Sequence, residues 1–128
     1  MKLTKSADFA LRLMVYLASY PSVHIVSYLA KTLAIPYNNL AKIVQLLSRS
    51  GLLYTHKGKN GGVELGKPAS EITLHMIIGV VDGPTQLVEC SRWLPCTQQE
   101  HCKIKTELSR LQVQIDGLMH QVKLISLI

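Results

Sequence analysis

The stretch that decides the fold is residues 36–65, which read PYNNLAKIVQLLSRSGLLYTHKGKNGGVEL. Pro36 suits the first turn of a helix, where its missing N–H costs nothing, and Gly51 is a common residue just after a helix end. Between them lies an apolar stripe at helical spacing, formed by Leu40, Ile43, Val44 and Leu47. This spacing predicts a helix from Pro36 to about Ser50 with one buried face and one polar face.

A β-hairpin is predicted directly after this helix. Leu52–His56 is rich in strand-forming residues, and Val63–Leu65 is a shorter run of the same kind. Asn60-Gly61 between the two runs is a strong signal for a hairpin turn. The glycines at 61 and 62 should permit the turn and contact nothing specific.

Two further helices are predicted before the decisive stretch. Residues 6–20 show helical spacing, with Ser6 as the N-cap and Asp8 in the first turn, where a carboxylate suits the helix dipole. A short helix from about Ile25 to Leu33 follows, and a tight turn at residues 34–35 leads into the next helix. This order is the helix-turn-helix layout, and the hairpin adds a wing to it.

The predicted layout suggests a DNA-reading surface. A recognition helix enters the major groove with its N-terminal turn forward, and Asn pairs with adenine through two hydrogen bonds. The candidate base readers are therefore Tyr37, Asn38 and Asn39. The candidate contacts to the DNA backbone or minor groove are Lys42, Arg49, Lys57, Lys59 and Asn60. The alternative for each basic residue is a solvated surface charge.

The charge distribution favours a polyanionic partner for the first half of the chain. Residues 1–68 carry nine Lys or Arg and two acids, whereas residues 69–128 carry five Lys or Arg and six acids. The whole chain has 128 residues and a formal net charge of +6. A basic half beside a nearly neutral half is typical of proteins that bind nucleic acid.

The sequence also predicts where the protein works. No stretch reaches the roughly 18 unbroken apolar residues that a membrane span needs, and the N-terminus lacks the apolar region of a signal peptide. We therefore expect a cytoplasmic protein without a membrane partner. The sequence has no C-x-x-C motif and no βαβ pattern, so we expect a regulator rather than an enzyme such as a thiol oxidoreductase.

The last quarter of the chain predicts a long helix. After a fourth helix, capped by Ser70 or Thr73 and running to about Val81, an apolar heptad stripe extends from about Lys103 to the end. The stripe consists of Ile104, Leu108, Leu111, Ile115, Leu118, Val122 and Ile125. Such a helix needs a partner surface, and a second copy is the commonest one, so we predict a homodimer. The alternative is a helix packed on its own domain.

These patterns together define the expected organisation. The fold class is mainly α with a small β-hairpin: a winged helix-turn-helix followed by a long C-terminal dimerisation helix. The winged helix-turn-helix occupies residues 1–68, a helix and a cysteine loop occupy residues 69–102, and the dimerisation helix occupies residues 103–128.

Three cysteines indicate a metal site. Cys90, Cys96 and Cys102 are separated by five residues in each gap. Thiols stay reduced in the cytosol, where clustered cysteines serve metal or redox chemistry rather than disulfides. Three thiolates fill three positions of an iron–sulfur cluster, which usually has four protein ligands. Zinc in a protein-interaction module is the alternative, although structural zinc sites usually have shorter gaps.

Several segments resemble one family of bacterial regulators. The opening Leu3–Arg12 resembles the Rrf-two family of winged-helix regulators, and residues 58–70 are most similar to its NsrR branch of nitric-oxide-responsive repressors. The resemblance covers nearly the whole chain. It implies a repressor that binds a roughly palindromic double-stranded DNA operator as a homodimer, with nitric oxide as effector. It also places the three cysteines where the family's cluster ligands lie.

The resemblance further implies the missing fourth ligand. The IscR branch uses a His three residues after the last cysteine, where this chain has Lys105. A 2Fe-2S branch uses an acid and a His in the first helix, where this chain has Asp8 and Arg12. One NsrR type uses an Asp in the first helix of the other subunit, which matches Asp8. The resemblance therefore implies a 4Fe-4S cluster rather than a 2Fe-2S cluster.

Three alternatives stay open beside this assignment. His101 and Glu100, directly before Cys102, are alternatives to Asp8 as the fourth ligand. Asp8 could instead cap the first helix or bond to Arg12 four residues later. The protein could also be an iron-sensing, cluster-status or redox-sensing regulator of the same family rather than a sensor of nitric oxide.

Overall fold

The computed structural model describes residues 2–84, 86–87 and 102–128. The predicted fold class, mainly α with a small hairpin, is confirmed. Its helices are α1 (Lys5–Ser19), α2 (Val26–Leu33), α3 (Tyr37–Arg49), α4 (Leu74–Asp82) and α5 (Lys103–Gln121). Its strands are β1 (Leu53–His56) and β2 (Gly62–Leu65), and two short 3-10 helices span Ala69–Glu71 and Leu124–Leu127.

The first helix begins with a different cap from the predicted one. Thr4, not Ser6, is the N-cap of α1, and its hydroxyl oxygen accepts the N–H of Ala7 at 3.1 Å. The same hydroxyl donates to the carboxylate of Asp82 at the end of α4. Thr4 is therefore favoured because it both caps α1 and joins it to α4.

The turn between α2 and α3 is closed by backbone hydrogen bonds. Ala34 adopts a left-handed conformation with φ of 53°, and its N–H points to the carbonyls of Ala30 and Lys31. The N–H of Ile35 donates to the carbonyl of Ala30 at 2.9 Å. This arrangement turns the chain within three residues, so that α3 begins directly after Pro36.

The core lies where α1, α3 and α4 meet. Leu13 and Leu17 of α1, Leu40 and Leu47 of α3, and Ile77 of α4 are fully buried in one cluster. Burying such a side chain contributes about 1.5–3 kcal/mol relative to leaving it exposed. The predicted apolar face of α3 is therefore the face that fixes this helix to the rest of the protein.

The hairpin is antiparallel and its second strand has a further neighbour. Leu53 pairs with Leu65 and His56 pairs with Gly62. On its other edge β2 forms an isolated bridge between Val63 and His24, which lies before α2. Val63 is fully buried, so the inner face of the hairpin closes one side of the core.

The C-terminal helix ends earlier than its heptad pattern predicts. The helix α5 stops at Gln121, and the following residues run beside the segment that leads into α4. The N–H of Leu124 donates to the carbonyl of Ile72 at 2.8 Å, and the Leu124 side chain is fully buried. The predicted stripe positions Val122 and Ile125 therefore lie outside the helix. Burial of Leu124 outweighs continuation of the helix.

No helix in the described part of the chain is both long and apolar enough to cross a membrane.

Leu124 provides a direct test of this return to the core. We expect Leu124→Ala to lower the free energy of unfolding by about 2–5 kcal/mol, because it leaves a cavity at a fully buried site. Ile125→Ala is the matched control, since the Ile125 side chain is 50% exposed and should cost less than about 0.5 kcal/mol. Urea unfolding of the two variants measures this difference. A larger loss for Ile125→Ala would instead support a helix that continues to the end.

Candidate nucleic-acid interface and cysteine site

The recognition helix presents the predicted polar residues to solvent. Tyr37, Asn38, Asn39, Lys42 and Arg49 are all exposed, while the opposite stripe of α3 is buried. No side chain caps the N-terminus of α3, so its first N–H groups remain available to an outside acceptor. The structure thus brings together the three candidate base readers on one exposed turn.

The wing presents its basic residues in the same way. Lys57, Lys59 and Asn60 are exposed in the loop between β1 and β2. Within the described residues, neither wing lysine forms an ion pair with an acid, and neither do Lys42 and Arg49 of α3. These four cations are therefore free to meet phosphate groups.

The acid within the hairpin, Glu64, lies beside a histidine of the neighbouring strand. Glu64 of β2 lies 3.4 Å from the Nε2 atom of His56, between carboxylate oxygen and ring nitrogen. Tyr54 packs edge-on against the same imidazole, with ring centroids 4.8 Å apart. This trio occupies the outer face of the hairpin and keeps Glu64 directed at His56.

Asp8 lies in the first turn of α1, with its side chain 63% exposed. One carboxylate oxygen lies 3.9 Å from the Nη1 atom of Arg12, one turn later. The Nη2 atom of Arg12 donates to the carbonyl of Leu33, the last residue of α2. Arg12 therefore connects Asp8 to the helix end that leads into the recognition helix.

Cys102 is the N-cap of α5. Its sulfur accepts the N–H of Lys105 at 3.5 Å, and the residue is partly buried and free of a disulfide. A thiolate in this position interacts favourably with the positive end of the helix dipole. The other two predicted ligands, Cys90 and Cys96, lie outside the described residues. The described residues alone contain no group of three potential metal ligands.

One part of the heptad stripe of α5 is partly buried, and the other part is exposed to solvent. The helix packs on α4, and Leu108 and Ile115 are partly buried. Ile104, Leu111 and Leu118 are 70%, 42% and 62% exposed and recur every seven residues along the helix. An apolar line with heptad spacing therefore remains available to a partner.

An aromatic cluster at the corner between α1 and α2 was not expected from the sequence. Tyr16 packs against Tyr20, with centroids 4.8 Å apart, and edge-on against His24, which stacks on Tyr28. The hydrogen bond with the Tyr28 side chain raises the pKa of Tyr16, and desolvation adds to the effect. The cluster thus joins the end of α1 to the start of α2.

Two other contacts also lay beyond sequence reasoning. The hydroxyls of Ser48 and Thr55 lie 2.7 Å apart and join α3 to β1. The rings of His75 and His120 stack between α4 and α5, with centroids 3.8 Å apart. Both are contacts between separate elements, and no short-range pattern signals either pair.

Comparison with known proteins places this arrangement in a family. Residues 3–128 match the family model of Rrf2, described as an iron-dependent transcriptional regulator. The fold is similar to that of CymR (YrzC), the global cysteine regulator of B. subtilis, with a TM-score of 0.78 and 22% identity over 99% of this chain and 95% of that chain.

Two further solved structures share the fold. The oxidized form of Staphylococcus aureus CymR is 24% identical, with a TM-score of 0.74 over 97% of this chain and 93% of that one. T. potens IscR is 16% identical, also with a TM-score of 0.74, over 98% of this chain and 84% of that one. Neither neighbour belongs to the NsrR branch, so that finer assignment stays a prediction. Because the family model spans nearly all of the sequence, this chain belongs to the Rrf2 family of transcriptional regulators.

Proposed function

We propose that this regulator is a homodimeric repressor whose affinity for operator DNA is controlled by an iron–sulfur cluster that responds to nitric oxide. The observation that carries the proposal is the connection from Asp8 through Arg12 to the carbonyl of Leu33. It joins the candidate fourth ligand of the cluster to the turn before the recognition helix.

The DNA-binding part of the proposal rests on the exposed face of α3. Tyr37, Asn38 and Asn39 occupy its first turn, where residues of a recognition helix reach base edges in the major groove. Lys42, Arg49, Lys57, Lys59 and Asn60 contact the DNA backbone or the minor groove. The base readers supply specificity and the cations supply most of the affinity.

The dimer in this proposal forms through α5. Ile104, Leu111 and Leu118 form the apolar line that a second copy covers. Two symmetric subunits present two recognition helices, so the operator has two half-sites arranged as an approximate palindrome.

The cysteine residues would hold a 4Fe-4S cluster together with a carboxylate. Cys102 fits this role because it is a free, partly buried thiol at a helix N-terminus. Cys90 and Cys96 supply the other thiolates, and Asp8 of the partner subunit supplies an oxygen ligand. When bound, such a cluster offers an iron atom with an exchangeable oxygen ligand, at which nitric oxide can bind.

Arg12 explains how a change at Asp8 reaches the DNA-reading surface. One oxygen of the Asp8 carboxylate lies beside Arg12, and the other has no partner among the described residues. The carboxylate can therefore contact a second group while it stays next to Arg12. A change in the charge or position of Asp8 alters the guanidinium that holds the end of α2. Because α2 and α3 are joined by only three residues, the recognition helix shifts with that end.

A second candidate is regulation by iron or by cluster status. The description of the family model as iron-dependent favours it. The residues and contacts are the same in both candidates, and they differ only in the signal that changes the ligands of the cluster.

DNA binding by protein purified without oxygen tests the main proposal. An operator can be selected from random duplexes with the brown, cluster-containing protein. We expect the cluster-containing form to bind it at least about tenfold more tightly than the cluster-free form at the same salt concentration, which is about 1.4 kcal/mol. Cys102→Ser should bind like the cluster-free form.

The same measurement separates the two candidates. Nitric oxide should release DNA at constant iron if the main proposal holds, whereas release only by an iron chelator supports the second candidate. Equal affinity of the two forms would overturn the main proposal and leave the second candidate, a sensor that binds DNA in either form.

Replacement of Asp8 tests the fourth ligand. We expect Asp8→Ala to retain a cluster but to change its visible absorbance and its circular dichroism, because one iron loses its carboxylate. Glu107→Ala is the matched control, since Glu107 also pairs with an arginine on an exposed helix face, at 2.6 Å from Arg110. Both exposed pairs should cost less than about 1 kcal/mol of stability. Spectra of Asp8→Ala identical to the wild type would remove Asp8 from the ligand set.

A further inference from the structure

The wing is a short hairpin whose orientation depends on contacts at its base. Each strand has four residues, and five residues form the loop between them. An isolated two-stranded hairpin of this size is at best marginally stable in water. The position of Lys57 and Lys59 is therefore set by whatever holds β1 and β2 to the helices.

One such contact joins the wing to the recognition helix. The Ser48 hydroxyl in the last turn of α3 lies 2.7 Å from the Thr55 hydroxyl in β1. Thr55 pairs with Val63 across the hairpin, but unlike the buried Val63 its side chain is exposed to solvent, beside the end of α3. This solvent-exposed bond links the two elements that meet DNA in the proposed function.

A second contact holds the opposite edge of the hairpin. The N–H of His24 donates to the carbonyl of Val63 at 3.0 Å, and the N–H of Val63 donates back to the carbonyl of His24 at 2.8 Å. His24 thus acts as a one-residue third strand beside β2. It belongs to the segment between α1 and α2, so this contact ties the wing to the helical core.

Gly62 makes the second contact possible. A Cβ atom at this position would lie 2.4 Å from the carbonyl oxygen of His24 and 2.9 Å from Cγ1 of Val23. Neither distance is sterically allowed, and the nearer atom belongs to the backbone. The close approach of β2 to His24 therefore requires a residue without a side chain at position 62, a role that the sequence pattern did not predict.

Ser48 is placed to position the wing rather than to read DNA bases. It lies ten residues after Asn38, which corresponds to about 15 Å along the helix axis. Its hydroxyl is engaged by Thr55. Because Ser48 is so far from the first turn of α3, which carries the candidate base readers, it acts through strand β1, to which it is bonded.

We propose that Ser48, Thr55 and Gly62 are positioning residues that hold the wing, the first two to the recognition helix and Gly62 to the segment before α2, so that wing and recognition helix meet the same DNA duplex at once. This inference rests on the proposed DNA-binding function. The three residues affect the number of phosphate contacts, although none of them contacts DNA itself.

The dependence of DNA affinity on salt concentration measures that number of contacts. Each phosphate contact contributes about 0.9 to the slope of log affinity against log salt concentration. The double variant Lys57→Ala/Lys59→Ala should therefore reduce the slope by about 2. Thr55→Val and Gly62→Ala should reduce it in the same direction and weaken binding by about 3- to 30-fold at fixed salt.

Two matched variants separate positioning from general damage. Thr55→Ser retains the hydroxyl and should restore wild-type binding. Ser50→Ala removes a hydrogen bond of similar length at the same end of α3, from the Ser50 hydroxyl to the carbonyl of Leu47 at 2.8 Å, but does not touch the wing. It should leave the slope unchanged. If Gly62→Ala does not fold, Thr55→Val and Ser48→Ala carry the test.

The outcomes are distinct when all variants are compared with the same anaerobically purified wild-type protein. Thr55→Val added to the double lysine variant should cause little further loss, because the wing contacts are already absent. The inference is overturned if the lysine variant lowers the slope while Thr55→Val and Ser48→Ala behave like Ser50→Ala. An unchanged slope in the lysine variant shows that the wing does not meet DNA, and this removes both the inference and the wing from the proposed function.

Discussion

The burial of one stripe of α3 is the constraint on which the rest of the structure depends. Leu40, Ile43, Val44 and Leu47 pack into the core formed with α1 and α4. Because a helix that buries one face must expose the opposite one, this packing turns the polar residues of α3 outward. The buried stripe also fixes the end of α3 from which β1 starts. The turn that carries the candidate base readers and the base of the wing are thus set by the same hydrophobic contacts.

Local patterns in the sequence predict the elements but not the bonds between them. The stripe of α3, the turn at Ala34 and the hairpin after Gly51 are each visible in a short window, and each is found where it was expected. The cap of α1 was misplaced because Thr4 and Ser6 are both good caps, and the choice depends on Asp82, which is 78 residues away. The end of α5 was misplaced because its heptad pattern continues unbroken while Leu124 gains a place in the core.

In the candidate site, too, local contacts could be predicted from the sequence and contacts between separate elements could not. Asp8 and Arg12 are four residues apart on a helix, so their pairing could be predicted, and the structure shows it. The bond from Arg12 to Leu33 could not, since nothing in the sequence near Arg12 points to the end of another helix. The Ser48–Thr55 bond is similar, because either hydroxyl alone looks like a solvated side chain. Two of the three cysteines lie outside the described residues, so the cluster stays a prediction from their spacing and from the family resemblance.

In the proposed function, regulation acts through geometry rather than through the charge of the DNA-binding half. The first 68 residues carry an excess of basic over acidic groups that no change at a cysteine site removes. Their attraction to phosphate is present in every state, so non-specific DNA binding persists. A switch can therefore change only how many of these groups reach the duplex together with the base-reading turn. That number depends on the rigid connection of α2, α3 and the wing, and on the spacing between two subunits. Among the described residues, the bond from Arg12 to the end of α2 and the hydroxyl bond at the base of the wing are two of the polar links through which such a switch can be transmitted.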